Sequence, residues 1–110
     1  MSKLRTIDLP APVILEAVPS TGNPGVEAIV VKNLGPDGAT LVVDYPTIKA
    51  GDVIQVWHKD DNSEYDVTKT STGLAVTFKV PKAVFNGTVI TFIYGVNDLA
   101  FSKIRIYLVE

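Results

Sequence analysis

The residues best equipped for chemistry fall in one short run. The stretch AGDVIQVWHKDD, residues 50–61, holds the only tryptophan of the chain, Trp57, and its only histidine, His58. Asp52, Asp60 and Asp61 lie alongside, and Glu64 and Asp66 follow. A histidine among carboxylates can ligate a metal, serve as a general base, or simply end a strand. Zinc wants about three or four convergent His, Cys or carboxylate ligands. One histidine and no cysteine is a poor set for it. Calcium wants roughly six to eight oxygens from a tight loop, and an EF-hand loop needs a Gly at its sharp turn and a closing Glu. The run DDNSEYD, 60–66, has oxygens but neither that spacing nor that Gly.

Nucleophilic catalysis needs a serine within reach of the histidine and a carboxylate to orient it. Ser2, Ser20, Ser63, Ser71 and Ser102 are present, none in a nucleophile-elbow motif. Ser71 sits in TSTG, where hydroxyls usually bond the backbone. Asp60 and Asp61 are adjacent and point apart in extended chain, poor geometry for two carboxyls flanking one glycosidic bond. No Gly-rich loop opens a helix, so nothing cradles a phosphate. The residues imply no metal and no cofactor. What remains are aromatics that an outer sheet face could present to a sugar or a protein. Trp57, Tyr65 and Tyr107 are the candidates, with His58 at the rim beside them.

The elements that must carry these residues are strands. Apolar residues alternate with polar ones, and Gly, Pro, Asn and Asp punctuate the runs. LAVTFKV, 74–80, points Leu74, Val76, Phe78 and Val80 one way. KIRIYLV, 103–109, points Ile104, Ile106 and Leu108 inward and Lys103, Arg105 and Tyr107 outward. TVITFIYGV, 88–96, is apolar on both sides, with Ile90, Phe92, Tyr94 and Val96 taken as inward. ATLVVDY, 39–45, turns Leu41, Val43 and Tyr45 to the core. VEAIVVK, 26–32, is a strand of open pairing, and PVIL, 12–15, a short edge strand preceded by prolines. In VIQVWHK the alternation allows two phases. A core Trp, common in immunoglobulin domains, would turn Val53, Gln55 and Trp57 inward. Burying Gln55 unpaired costs ~1–3 kcal/mol, which favours Ile54 and Val56 inward and Trp57 outward.

Turns fall at TGNPG (21–25), GPDG (35–38) and DDNS (60–63), with Gly51-Asp52 turning the chain into the Trp57 strand. PKAVFNG, 81–87, is expected to make a single helical turn. Pro81 opens it, Asn86 and Gly87 close it in a left-handed cap, and Val84 or Phe85 plugs the end of the core. Seven or eight strands without helices fit an all-β, immunoglobulin-like antiparallel sandwich with one short helical crossover.

The chain has 110 residues and forms one domain, 1–110, whose residues 1–8 read as a flexible N-terminus. At 46% apolar and 20% charged it has the composition of a globular protein. Ten scattered basic residues against twelve acidic ones give no patch for nucleic acid. No run approaches the ~20 apolar residues of a membrane span. The N-terminus has no apolar stretch of signal-peptide length, which points to the cytoplasm or to a surface or secreted location reached without a cleaved leader.

Two strings, YPTIKAGDVIQVWHK and VTFKVPKAVFNGTVITFIYGV, carry a resemblance. An aromatic-Pro corner (Tyr45, Pro46) precedes Ala50-Gly51-Asp52 and alternating apolars ending near Trp57. Phe78, Val80 and Pro81 then lead through a crossover to Gly87-Thr88 and a strand ending in Tyr94. From about Leu9 to Val109 the chain resembles the bacterial immunoglobulin-like domains repeated in large Gram-negative surface and secreted proteins. The resemblance implies a sandwich acting as a spacer, adhesive or interaction module, here a surface-associated antigenic or adhesion-type bacterial protein. It carries no catalytic residue over.

The expected function is a non-enzymatic structural or interaction module with a protein or glycan partner. The rivals are a carbohydrate-binding module built on exposed aromatics and a small hydrolase using His58. The chain is expected as a monomer or weak homo-oligomer. An oligomer would pair edge strands, which Lys103 and Arg105 on the last strand would discourage.

Overall fold

The computed structural model describes residues 6–59 and 64–110. Its strands are β1 (Thr6–Leu9), β2 (Val13–Ile14), β3 (Val18–Pro19), β4 (Glu27–Ile29), β5 (Ala39–Val43), β6 (Ala50–Lys59), β7 (Glu64–Thr72), β8 (Val76–Val80), β9 (Val89–Val96), β10 (Ala100–Ser102) and β11 (Arg105–Val109). They form two sheets, and the fold is all-β and sandwich-like. The small sheet runs β2-β5-β8. In the large sheet β6 pairs β7 on one edge and β9 on the other. The far edge of β9 takes β10 and then β11. β1 lies parallel outside β10, β4 lies parallel outside β11, and β3 pairs β4. Among the described residues no helix is long and apolar enough to cross a membrane.

The core lies between the sheets. Leu41, Val43, Phe78 and Val80 come from the small sheet, and Ile54, Val56, Ile90, Phe92 and Tyr94 from the large one. Each strand supplies alternate residues, as a sheet with one dry face requires. Tyr45 is buried and stacks on Tyr94 with ring centroids 6.0 Å apart. The turn after β8 is a 3-10 turn, Lys82–Val84, and Val84 and Phe85 do plug the core. It closes at Phe85 with φ −84°, so the left-handed cap expected at Asn86 and Gly87 does not form.

The strands outnumber those read from the sequence because both terminal strands are broken. Pro10 and Pro12 lack the N–H that a ladder needs, and between them the chain leaves the large sheet for the small one. Side chains hold it there. Tyr94 Oη donates to Pro10 O at 2.7 Å, Arg105 Nε donates to Pro12 O at 2.9 Å, and Ile14 N–H donates to Tyr107 Oη at 2.9 Å. The flexible arm expected over residues 1–8 is thus paired from Thr6, which lies opposite Ala100.

The other break corrects the reading of the last strand. β10 and β11 meet β9 one residue out of step, since Phe101 faces Gly95 but Arg105 faces Phe92. The extra residue is a bulge at Lys103-Ile104. Ser102 Oγ bridges it, accepting from Tyr94 N–H and donating to Lys103 O. Past the bulge every side chain changes face. Ile104 and Ile106 are each 57% exposed and Leu108 is half-buried, whereas Tyr107 is fully buried. Leu74 is also not core. It is 73% exposed in a turn where Ser71 Oγ accepts from Gly73 N–H and donates to Leu74 O, and β8 begins only at Val76.

One prediction follows from the Tyr107 tie. Tyr107→Phe leaves the buried Ile14 N–H without its acceptor, which costs about 1–3 kcal/mol. Urea unfolding is expected to show a lower midpoint at unchanged slope; a midpoint equal to wild type would mean that the bond does not hold the crossing.

Candidate functional site

Of the residues singled out as candidates, Trp57 alone stands on the solvent side of a sheet. β6 alternates Ile54, Val56 and His58 inward, with Gln55 and Trp57 outward and half-buried. His58 is 2% exposed, so it is a core residue rather than a rim one. Its ring packs on Phe92 at 5.5 Å, and Nδ1 lies 3.1 Å from Thr91 O. A carbonyl only accepts, so in this contact Nδ1 is the donor.

Tyr65 and Tyr107 are not surface aromatics. Tyr65 faces the core opposite His58, and its hydroxyl donates to Lys79 O at 2.9 Å. Tyr107 is turned inward by the bulge. Burial pushes both phenols above their usual range. Asp60, Asp61 and the turn expected at 60–63 lie outside the described residues. Among the described residues no three His, Asp or Glu gather as metal ligands.

Cross-strand register shows what surrounds Trp57. Trp57 lies opposite Asp66 on β7 and Ile93 on β9, and the bulge at Lys103-Ile104 follows on the far side of β9. The next level holds Thr68, Gln55, Gly95 and Phe101. On the other side of the Trp57 level lie Thr91 and Ile106, then Val89 and Leu108. Trp57, Ile93, Phe101, Ile104, Ile106 and Leu108 therefore carry an apolar band across the outer face of the large sheet. Single exposed apolar residues are ordinary, but here several share one face of one sheet.

Phe101 was not picked out by the sequence. It meets Trp57 edge-on, centroids 6.0 Å apart and planes at 87°. Both rings lean over Gly95, where an added Cβ would come within 3.2 Å of Phe101 and 3.5 Å of Trp57. The signal that could have found it is Asn97-Asp98. These residues turn β9 back into β10 with φ of 54° and 58°, a conformation that Asn and Asp tolerate better than most. The turn sets Phe101 beside Gly95.

The same turn closes a polar network at the head of β6. Gly51, with φ of +94°, makes a bulge that drops the Asp52 carboxylate out of water to 3% exposure. Tyr45 Oη donates to Asp52 Oδ2 at 2.6 Å, Lys49 N–H donates to the same oxygen at 3.2 Å, and Asn97 Nδ2 donates to Oδ1 at 3.2 Å. Asn97 Oδ1 accepts from Val53 N–H at 2.8 Å. The Tyr45 hydroxyl, and after it Asn97 and Lys49, hold the Asp52 carboxyl below the usual carboxylate range against the opposing effect of burial. Burial and the Asp52 charge in turn push the Tyr45 phenol far up. A cavity of about 220 Å³ adjoins this network and is lined as well by Thr47 and Lys49. The network ties the turn to the sheet.

Comparison with protein-family models, with curated proteins and with solved structures finds no match to this chain.

Proposed function

We propose that this chain is a non-enzymatic interaction module of immunoglobulin-like type that meets a protein partner through the outer face of its large sheet. The observation that carries the reading is the apolar band from Phe101 and Trp57 to Ile106. Ile104 and Ile106 each leave more than half of their surface in water although the strand they flank is central. Such exposure is offset when a partner removes it from solvent, at ~25 cal/mol per Å². The strand order agrees with an immunoglobulin-like arrangement, β2-β5-β8 against β7-β6-β9 and the broken last strand. The sequence resemblance supplies the setting, a surface-associated or secreted bacterial protein. His58, buried at 2% exposure against Phe92, speaks against the hydrolase, which needs the ring open to a substrate. A sugar site would want a flat aromatic platform, and Trp57 and Phe101 stand at right angles instead.

The test is photo-crosslinking from position 106 in cells that make the protein, with position 74 as an exposed control outside this face. A discrete cross-linked species from 106 and none from 74 is expected. Equal labelling from both positions would mean that the face is not a contact surface.

A further inference from the structure

We propose that a second copy of the chain pairs along the free edge of β7, antiparallel strand to strand, about a twofold axis through Thr68. The inference goes beyond the reading of the outer face and stands on a different part of the molecule.

The other edges of the two sheets are guarded. β2 and β3 are two residues long, and β3 ends in Pro19. Among the described residues β1 is four residues long and runs into Pro10. On edge strand β8 the carbonyls of Thr77 and Lys79 are taken by Lys69 Nζ at 2.8 Å and Tyr65 Oη at 2.9 Å. Short, proline-bearing and capped edges resist strand addition. The last strand is no edge at all, since β11 lies between β9 and β4, and Arg105 is spent on Pro12 O. Lys103 and Arg105 therefore do not have the edge-guarding role expected of them.

β7 differs. It runs from Glu64 to Thr72, holds no Pro or Gly, and pairs β6 alone. Asn97 N–H donates to Val53 O, so Val53, Gln55 and Trp57 direct their backbone groups to β9. Ile54, Val56 and His58 direct theirs to β7, where they meet Lys69, Val67 and Tyr65. The N–H and C=O groups of Asp66, Thr68 and Thr70 point the other way. Among the described residues nothing takes them. Such a row is matched by an extended polypeptide strand. Lys69, the lysine placed to guard this edge, is folded back onto β8, with Nζ 5.4 Å from the centroid of the Phe78 ring.

The register selects the occupant. Glu64 and Asp66 lie in the first half of β7, and Thr70 and Thr72 in the second, with Thr68 in the middle. A second copy run antiparallel and centred on Thr68 matches the strand over its full length. Thr68 meets its own counterpart, and Asp66 of each copy meets Thr70 of the other. Each pair exchanges two N–H···O bonds, and the Thr70 hydroxyl faces the Asp66 carboxylate across the strands. Centring on Asp66 or on Lys69 would instead set like charges opposite each other. The acidic half of one strand thus finds the hydroxyl half of its own copy. Each chain has one such edge, so pairing closes at two. The axis stands normal to the sheet, which leaves the outer apolar face open on both copies. Contact along one strand is small, toward the low end of interface sizes, and sets a dissociation constant of roughly 0.1 mM.

The experiment is sedimentation equilibrium of the purified chain from roughly 20 μM to 1 mM, with amide hydrogen exchange followed by NMR at both ends of that range. Wild type is expected to pass from monomer to dimer. The amides of Asp66, Thr68 and Thr70 are expected to exchange at least ~3-fold more slowly at the higher concentration, while those of Val67 and Lys69, bonded to β6, do not change. Thr68→Pro removes an N–H that the monomer does not use. It is expected to keep a native circular dichroism spectrum and to stay monomeric throughout. Thr68→Lys sets two ammonium groups against each other on the axis and is expected to weaken the dimer at least ~5-fold, a reading that holds even where the proline variant fails to fold. A monomer at every concentration overturns the inference. So does a dimer in which the three amides exchange at an unchanged rate, or one indifferent to Thr68→Lys.

Discussion

Gly38→Ala is expected to destabilise the protein by about 3–5 kcal/mol, through a backbone collision joined to a forbidden conformation. Gly38 closes the turn Gly35-Pro36-Asp37-Gly38, with its N–H donating to Gly35 O at 3.0 Å. Its φ is +78°, and it is buried against the end of β8. A Cβ there would drive into the Val80 carbonyl oxygen and lie 2.9 Å from Lys82 N. Neither neighbour is a side chain that can swing away. Both belong to the segment that pairs Ala39 with Val80 and opens the 3-10 turn. Two other glycines separate the contributions. Gly25 has φ of +81° and open space around its Cβ position, so Gly25→Ala reports the conformational term alone, ~1 kcal/mol. Gly35 has open space and no left-handed φ, so Gly35→Ala is expected within ~0.5 kcal/mol of wild type. Urea unfolding of the three variants should rank them Gly38, Gly25, Gly35. Equal losses at Gly38 and Gly25 would show that the Val80 carbonyl moves aside freely.

That collision also shows which parts of the fold sequence reasoning reaches. The turn at GPDG is local chemistry and is legible. So is the phase of β6, because turning Gln55 inward would bury an amide, and the structure has Ile54 and Val56 in the core and Gln55 Nε2 on Asp66 at 2.8 Å. The phase of β11 is not legible, because alternation carries no mark of an inserted residue. Ile104, Ile106 and Leu108 look like a core face in any two-residue reading. What decides against it is long-range: the tie of Ile14 N–H to Tyr107, and Arg105 reaching Pro12, each spanning 93 positions. The same slip hid the site. It put two isoleucines beside Trp57 on the outer face and withdrew Tyr107 from it. His58 was legible as a strand residue but not as a buried one, since its partner carbonyl belongs to Thr91 on another strand.

Asp52 is the second place where a large effect is expected, and there the effect depends on pH. Its carboxylate accepts from Tyr45, Lys49 and Asn97 while almost wholly buried. Asp52→Asn keeps the size but puts an amide donor where two donors already point at Oδ2. Hydrogen bonds to a charged group contribute about 1.5–3 kcal/mol, so a loss of about 2–4 kcal/mol at pH 7 is expected. The folded pKa of Asp52 lies below its unfolded value. Its ionisation therefore stabilises the fold in full above the unfolded value, near pH 4, and that stabilisation is lost as pH falls toward the folded value. Stability measured by urea at several pH values should decline for wild type below about pH 4. In Asp52→Asn that part of the decline should be absent, so the two curves converge in acid. Tyr45→Phe removes the largest of the interactions that lower the pKa, so the decline should begin at higher pH than in wild type. The double variant should lose less than the sum of the two singles, with a coupling of about 0.5–3 kcal/mol. Parallel acid profiles for wild type and Asp52→Asn would show that Asp52 has the same pKa folded and unfolded, so that the network does not favour the charged carboxylate.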